Sequence, residues 1–348
     1  MYQKLIIASL FLCYAIAGNA QINAIDRVVK KEMQEQHITG LSLGVVVHGK
    51  VIVSKGYGFA NLKDFIPATE NTVYRLASLS KEIIATNILI LEEQGKLSLN
   101  DHVNKYITDA PSKWEDITIR NLLNHTSGLE RESPAFDWEK KQPDSIVIKA
   151  AYRKKLLFAP GTDWSYSNVG YFILADIIRR VTGEPFEDYM NHFLATCGLT
   201  STATTSKSIG LTTTKGYNYN GASGRTSEAI NIVTFRASSA VASSITDMIK
   251  WDSMIGRSNI LTGQDWSKMW EDTVKAKESR DGSFSYYGYG WGVRQYHGHR
   301  LLTHSGSNPG FENEYWKFID DKTSIIILTN ANKVAPARIA KEIYAVLQ

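Results

Sequence analysis

The spacing of apolar residues changes along this chain, and each change marks an element. Ile25, Val28, Val29 and Met33 recur at helical intervals, so residues 23–37 read as an amphipathic helix. Two strand-like runs follow, Leu41–Val47 and Val51–Ser54, and the His48-Gly49-Lys50 link between them signals a hairpin. After Ser78 the pattern turns apolar almost all round, through Ile83, Ile84, Ala85, Ile88, Leu89, Ile90 and Leu91, and stops at Gly95. Such a helix is buried on every side, and glycine is a natural end for it. Phe172–Val181 is a second helical stretch. Towards the far end Tyr289–Val293, Leu301–Thr303 and Ile325–Leu328 look like strands, and Ala335–Leu347 like a closing helix. Residues 199–228, rich in Thr, Ser and Gly, read as loops with short edge strands. β-Structure gathers at both ends and helix fills the middle. The pattern predicts an α+β fold, in which an antiparallel sheet flanked by terminal helices carries a mainly helical subdomain inserted at roughly 80–225.

The first twenty residues stand apart from this pattern. Lys4, the apolar run Leu5–Ala17 and Gly18-Asn19-Ala20 have the layout of a signal peptide cleaved before Gln21. The run falls short of the ~20 residues that span a bilayer. Cys13 raises lipidation as an alternative, but Leu12 stands where a small residue is wanted. The expected location is therefore periplasmic or secreted, without stable membrane insertion after cleavage, and residues 21–348 form a single catalytic domain. Cleavage leaves one cysteine, Cys197, which cannot form an internal disulfide. The net charge is +4 with no basic block, which gives nucleic acid no footing as a partner. A small-molecule or peptide substrate remains.

Candidate chemistry lies in three short motifs: Ser78-Leu-Ser-Lys81, Tyr166-Ser-Asn168 and His304-Ser305-Gly306. A spacing of three puts Ser78 and Lys81 on one helical face, one turn apart. A lysine activates a serine only when burial or a neighbouring cation lowers its pKa, and the apolar helix supplies the low dielectric. With Ser78 in the first turn of that helix, the positive end of the dipole faces a nascent oxyanion. Tyr166-Ser-Asn168 sits in a Pro/Gly-rich loop; the hydroxyl can shuttle a proton, and the amide can donate to a substrate carbonyl and accept from Lys81. Gly306 marks a strand that something approaches closely. His297, His299 and His304 lack the accompanying carboxylate or cysteine spacing of a metal site. The alternatives for each motif alone are a capping serine with a surface lysine, an ordinary turn, and a hydrogen-bonded core histidine.

Taken together, these motifs resemble the serine β-lactamase and penicillin-recognising enzymes, in the branch of class C β-lactamases, DD-peptidases, D-aminopeptidases and related esterases. The likeness extends through Gly44–Gly58, Leu122-Leu-Asn-His-Thr-Ser-Gly-Leu129, Pro160–Asn168, Cys197-Gly-Leu199, Tyr289-Gly-Trp-Gly292 and Pro309-Gly-Phe311. It implies an active site in the groove between sheet and helices. Ser78 is then acylated, Lys81 and Tyr166 manage protons, and Asn168 orients Lys81 and the substrate amide. The resemblance also implies an oxyanion hole from the N–H groups of Ser78 and Ser307, with no metal or organic cofactor. The segment around His125 matches a structural part of the family. Loops 130–145 and 199–228 are expected to shape the groove, and Arg294 and Arg300 are candidates for reading a carboxylate. One departure stands out: His304-Ser305-Gly306 replaces Lys-Thr-Gly, so a fixed charge gives way to a residue charged part of the time near neutral pH. Slow lactam turnover follows. The expected activity is cleavage of an amide in a D-amino-acid peptide or β-lactam-like substrate, the alternatives being an esterase or a penicillin-binding sensor without turnover.

Overall fold

In the computed structural model, residues 20–140, 142–204, 214–230, 237–271, 273–278 and 284–348 are described. The expected leader lies outside them except for Ala20, where helix α1 (20–35) begins. The strands in chain order are β1 (Gly40–Val47), β2 (Lys50–Asn61), β3 (Ile66–Pro67), β4 (Tyr74–Arg75), β5 (Ala203–Thr204), β6 (Tyr217–Asn220), β7 (Arg225–Glu228), β8 (Val241–Ser243), β9 (Val274–Glu278), β10 (Phe284–Tyr287), β11 (Gly292–Tyr296), β12 (His299–Asn308), β13 (Phe311–Phe318) and β14 (Thr323–Thr329). The remaining helices are α2 (Ser80–Glu93), α3 (Ile119–Leu123), α4 (Asp144–Ala151), α5 (Asn168–Thr182), α6 (Phe186–Thr196), α7 (Ile245–Met254), α8 (Gly263–Glu271) and α9 (Pro336–Leu347).

Among the described residues, nine strands form one antiparallel sheet in the order β3-β2-β1-β14-β13-β12-β11-β10-β9. Both ends of the chain meet at its centre, where Leu41 on β1 faces Thr329 on β14. The β1–β2 hairpin turns through His48 (φ 49°) and Gly49 (φ 76°), the pair of left-handed residues that a tight hairpin with right-twisted strands requires. β14 reads as a continuous apolar run because both of its faces are covered. Ile325 and Ile327 pack outward with Leu43, Phe318 and the apolar stripes of α1 and α9, including Ile25, Val29, Ile339 and Ile343. Ile326 and Leu328 pack inward with Ile83, Ile84 and Ile88 of α2 and Phe172 of α5. This is the α+β arrangement the sequence predicts.

Several expected boundaries move, β2 running on to Asn61, β12 to Asn308 and α5 starting at Asn168. α1 ends at residue 35, short of 37, and His37 beyond it takes a left-handed φ of 54°. The strand read from Tyr289 starts only at Gly292. Gly290 turns at φ +77°, and a Cβ there would lie 2.8 Å from the backbone nitrogen of Glu82, so this bend presses directly on the first turn of α2. A small sheet, β4-β8-β5, holds the chain just before that turn through the Leu76 N–H bond to Val241 O (2.9 Å). No helix among the described residues is long and apolar enough to cross a membrane.

Candidate active site

Ser78 is not in the first turn of α2. It lies in a 3-10 turn, Ala77–Leu79, that runs into the helix at Ser80. Ala77 adopts a left-handed φ of 52°, a conformation costly for a residue with a Cβ, so surrounding structure must hold it. Part of that structure is β12. A Cβ on Gly306 would sit 2.2 Å from Leu76 O and 3.3 Å from Ala77 Cβ, so glycine is what lets this strand press against the nucleophile turn.

Lys81, one turn later, is fully buried. Its Nζ donates to Ser78 Oγ (3.2 Å) and to Asn168 Oδ1 (2.8 Å). Burial lowers its pKa to about 7; Glu132 opposes the shift and Arg131 adds to it. Near neutral pH a large fraction of Lys81 is thus the free amine a general base requires. Tyr166 completes the cluster through a hydrogen bond with Ser78. Desolvation pushes its hydroxyl above the ordinary phenol range, against that hydrogen bond and the Arg131 charge. Its ring lies 5.0 Å from Lys81 Nζ.

The loop bearing Tyr166 is fastened at both flanks by His125: Ser165 N–H donates to His125 O (3.0 Å) and Ser167 N–H to His125 Nδ1 (3.2 Å). Nδ1 therefore accepts, which fixes the neutral imidazole, and burial holds the pKa of His125 well below the usual range. Ser167 caps α5 by accepting from Gly170 N–H (3.2 Å) and donates to Glu130 O (2.8 Å). Asn168 N–H reaches Arg131 O (2.9 Å), and its side-chain amide donates to Glu132 Oε1. Two loops 36 residues apart in sequence are zipped together beside the nucleophile.

His304 corrects the expectation of a part-time charge. Its Nδ1 lies 2.7 Å from Ser305 O and so donates, leaving Nε2 to accept from the Tyr287 hydroxyl at 2.9 Å. Burial, with Lys81 nearby, lowers its pKa to about 3. At neutral pH this position carries no charge at all. Ser78, Tyr166, Asn168, His304, Ser305 and Ser307 line one cleft of about 360 Å³, joined by Arg131, Glu132, Phe136, Trp138 and Trp164. A larger cleft, about 420 Å³, lies between α4, α5 and α6; it contains none of these groups.

The chain that carries this arrangement is similar to known proteins over nearly its whole length. The β-lactamase family model matches residues 25–348. The chain belongs to the β-lactamase family. Within it, the putative penicillin-binding protein PbpX of Bacillus subtilis is 29% identical over 94% of this chain and 80% of its own length. Protein flp of Staphylococcus aureus is 32% identical over 51% of the chain, and the match spans only 37% of that protein. The D-amino acid amidase of Ochrobactrum anthropi superposes with a TM-score of 0.81 at 20% identity, covering 93% of this chain and 98% of that one, which shows the shared β-lactamase fold.

All eight residues expected at the site converge, Gly306 as backbone and Lys81 from below. Arg294 and Arg300 do not join them. Arg294 stacks on Trp316 at 5.2 Å, and Arg300 lies 4.0 Å from Glu271 and Asp320. Arg131, Glu132 and Tyr287 were not foreseen individually. The expectation that loop 130–145 shapes the groove was the only sequence signal for Arg131 and Glu132, and Tyr287 had none.

Proposed function

We propose that this protein is an exported serine amidase that hydrolyses short D-amino-acid amides or peptides through an acyl-enzyme on Ser78. The observation that carries the chemistry is the 3.2 Å contact between Ser78 Oγ and a lysine whose pKa lies at about 7. As the free amine, Lys81 takes the Ser78 proton while Oγ attacks the substrate carbonyl carbon. The tetrahedral oxyanion rests on the N–H groups of Ser78 and Ser307. Tyr166 passes a proton to the leaving amine, the C–N bond breaks and the acyl-enzyme remains. Water then attacks the ester, gives up its proton through the same groups, and the acid leaves as Ser78 regains its hydrogen. Asn168 holds Lys81 by its Oδ1 and orients the substrate amide.

The penicillin-binding relatives and the D-amino acid amidase support a D-configured amide substrate. The neutral His304 supports slow turnover of β-lactams, because no fixed cation on β12 meets a lactam carboxylate. Export rests on the layout of Lys4, Leu5–Ala17 and Ala20. The test is intact-protein mass spectrometry against time with a penicillin, beside an assay with D-alanine and L-alanine p-nitroanilides. A long-lived penicillin adduct absent from Ser78→Ala, with preferential release from the D-amide, is the expected result. Rapid lactam turnover, or preference for the L-amide, overturns this reading.

A further inference from the structure

Two polar side chains in the groove have no part in the chemistry above. Asn308 and Ser239 line the same cleft as Ser78, Asn308 at the end of β12 and Ser239 in the 3-10 turn Ala237–Ser239. Both of these elements pack against the nucleophile turn. Alternate residues of a strand share a face, so Asn308 lies on the face of His304 and Gly306. Only 6% of Asn308 and 9% of Ser239 is exposed, yet neither side chain has a hydrogen-bond partner among the described residues. A carboxamide can both donate and accept twice, a hydroxyl donate once and accept twice, and such groups are rarely left unpaired when buried. The polar groups around them are engaged elsewhere: Asn168 with Lys81 and Glu132, His304 with Tyr287, and Ser307 Oγ with Glu312 at 3.0 Å. The hydrogen-bonding capacity of Asn308 and Ser239 is therefore directed to what fills the groove.

Position along β12 tells which part of a substrate they meet. Tyr166, which hands a proton to the leaving amine, lies at the His304 end, the two ring centroids 6.2 Å apart. Asn308 is four residues further on, about 14 Å at ~3.4 Å per residue, and next to Ser307, whose N–H receives the oxyanion. The leaving group therefore lies toward His304, and the acyl residue toward Asn308. Resting on the amidase reading above, we propose that Asn308 and Ser239 form a polar subsite for the side chain of the acyl residue, selecting uncharged hydrogen-bonding groups such as a hydroxyl or a carboxamide. An apolar side chain of the same shape leaves both residues buried and unpaired, and a site built to hydrogen-bond a group discriminates strongly against the analogue that lacks it.

Two pairs of near-equal shape test this, D-threonine with D-valine and D-asparagine with D-leucine, each as the p-nitroanilide and as the methyl ester, corrected for spontaneous hydrolysis. The polar member is expected to lead in kcat/KM by about tenfold or more. Asn308→Leu is expected to bring both ratios to about one or below, and Ser239→Ala to lower them about threefold; a ratio cancels losses common to both substrates. If Asn308 only shapes the end of β12, the variant slows both members equally and leaves the ratio intact, which overturns the inference. Valine and leucine substrates cleaved by the wild type as well as their polar partners overturn it too, while leaving the amidase reading in place. If only the esters are cleaved, polar members preferred, the subsite stands and the amidase reading falls. If none of the substrates acylates Ser78, both fall.

Discussion

Lys81 shows what the catalytic arrangement costs a single residue. In the unfolded chain its pKa is near the ordinary 10.5; in the folded protein burial brings it to about 7. Between those two values the unfolded state holds a proton that the native state lacks, so stability rises with pH across that window. Below about 7 both states are protonated, and the fold carries a buried ammonium at full cost. Lys81→Met removes the penalty together with two hydrogen bonds, worth about 1 kcal/mol each. The expected balance at pH 7 is a gain on the order of 1–2 kcal/mol, a Tm higher by a few degrees, with acylation of Ser78 abolished. Melting curves of both forms from pH 6 to 10 check it. The two curves should converge as pH rises; a variant less stable than wild type at pH 7 would mean that the hydrogen bonds outweigh the burial.

Among elements, β12 decides the geometry of the nucleophile turn. A Cβ at residue 306 would meet Leu76 O at 2.2 Å, and neither a strand nor a turn backbone yields as a flexible side chain does. Gly306→Ala is expected to cost about 1–3 kcal/mol and, by shifting the oxyanion donors, to slow acylation on the order of 100-fold. Denaturant titration and burst kinetics read the two effects separately, and an unchanged acylation rate would show that the turn keeps its shape without the strand. That closeness was legible in the sequence as a glycine inside a strand. So were Ser78, Lys81, Tyr166 and Asn168, because each belongs to a short motif in or beside a periodic element. Arg131 and Glu132 were not, because they follow no period and sit on an exposed loop. Bonds such as those from Ser167 to Glu130 O, from Asn168 N–H to Arg131 O and from the Asn168 amide to Glu132 hold them at the groove. The left-handed Ala77 was invisible for a related reason: alanine advertises helix, and only tertiary contacts force it otherwise. The neutrality of His304 was invisible likewise, because it follows from burial, with Lys81 nearby, which only the folded protein brings about.

Across the molecule, the helical layer and the sheet are tied by a buried polar network beneath the site. Asp252 on α7 accepts from Tyr315 Oη (2.5 Å), Ser324 Oγ (2.5 Å) and Lys317 Nζ (2.8 Å) on β13 and β14. Beside it, Trp251 Nε1 donates to Glu82 (3.0 Å), whose carboxyl burial drives well above the usual range. The network therefore reaches from the centre of the sheet to the residue next to Lys81. Asp252→Ala strands the Lys317 ammonium in the interior and is expected to cost about 3–5 kcal/mol, seen as a lower denaturation midpoint. A loss under about 1 kcal/mol would mean that water replaces the missing carboxylate. The adjacency of β1 and β14 has a consequence of another kind. Leu41 cannot find Thr329 until nearly three hundred intervening residues have been synthesised, and contacts so distant in sequence form slowly. During synthesis the centre of the sheet stays open, with β1 lacking one neighbour. If the chain is exported, that delay suits passage as an unfolded thread. A stalled or truncated chain ending before β14 would instead leave β1 an unpaired apolar edge, a template for aggregation.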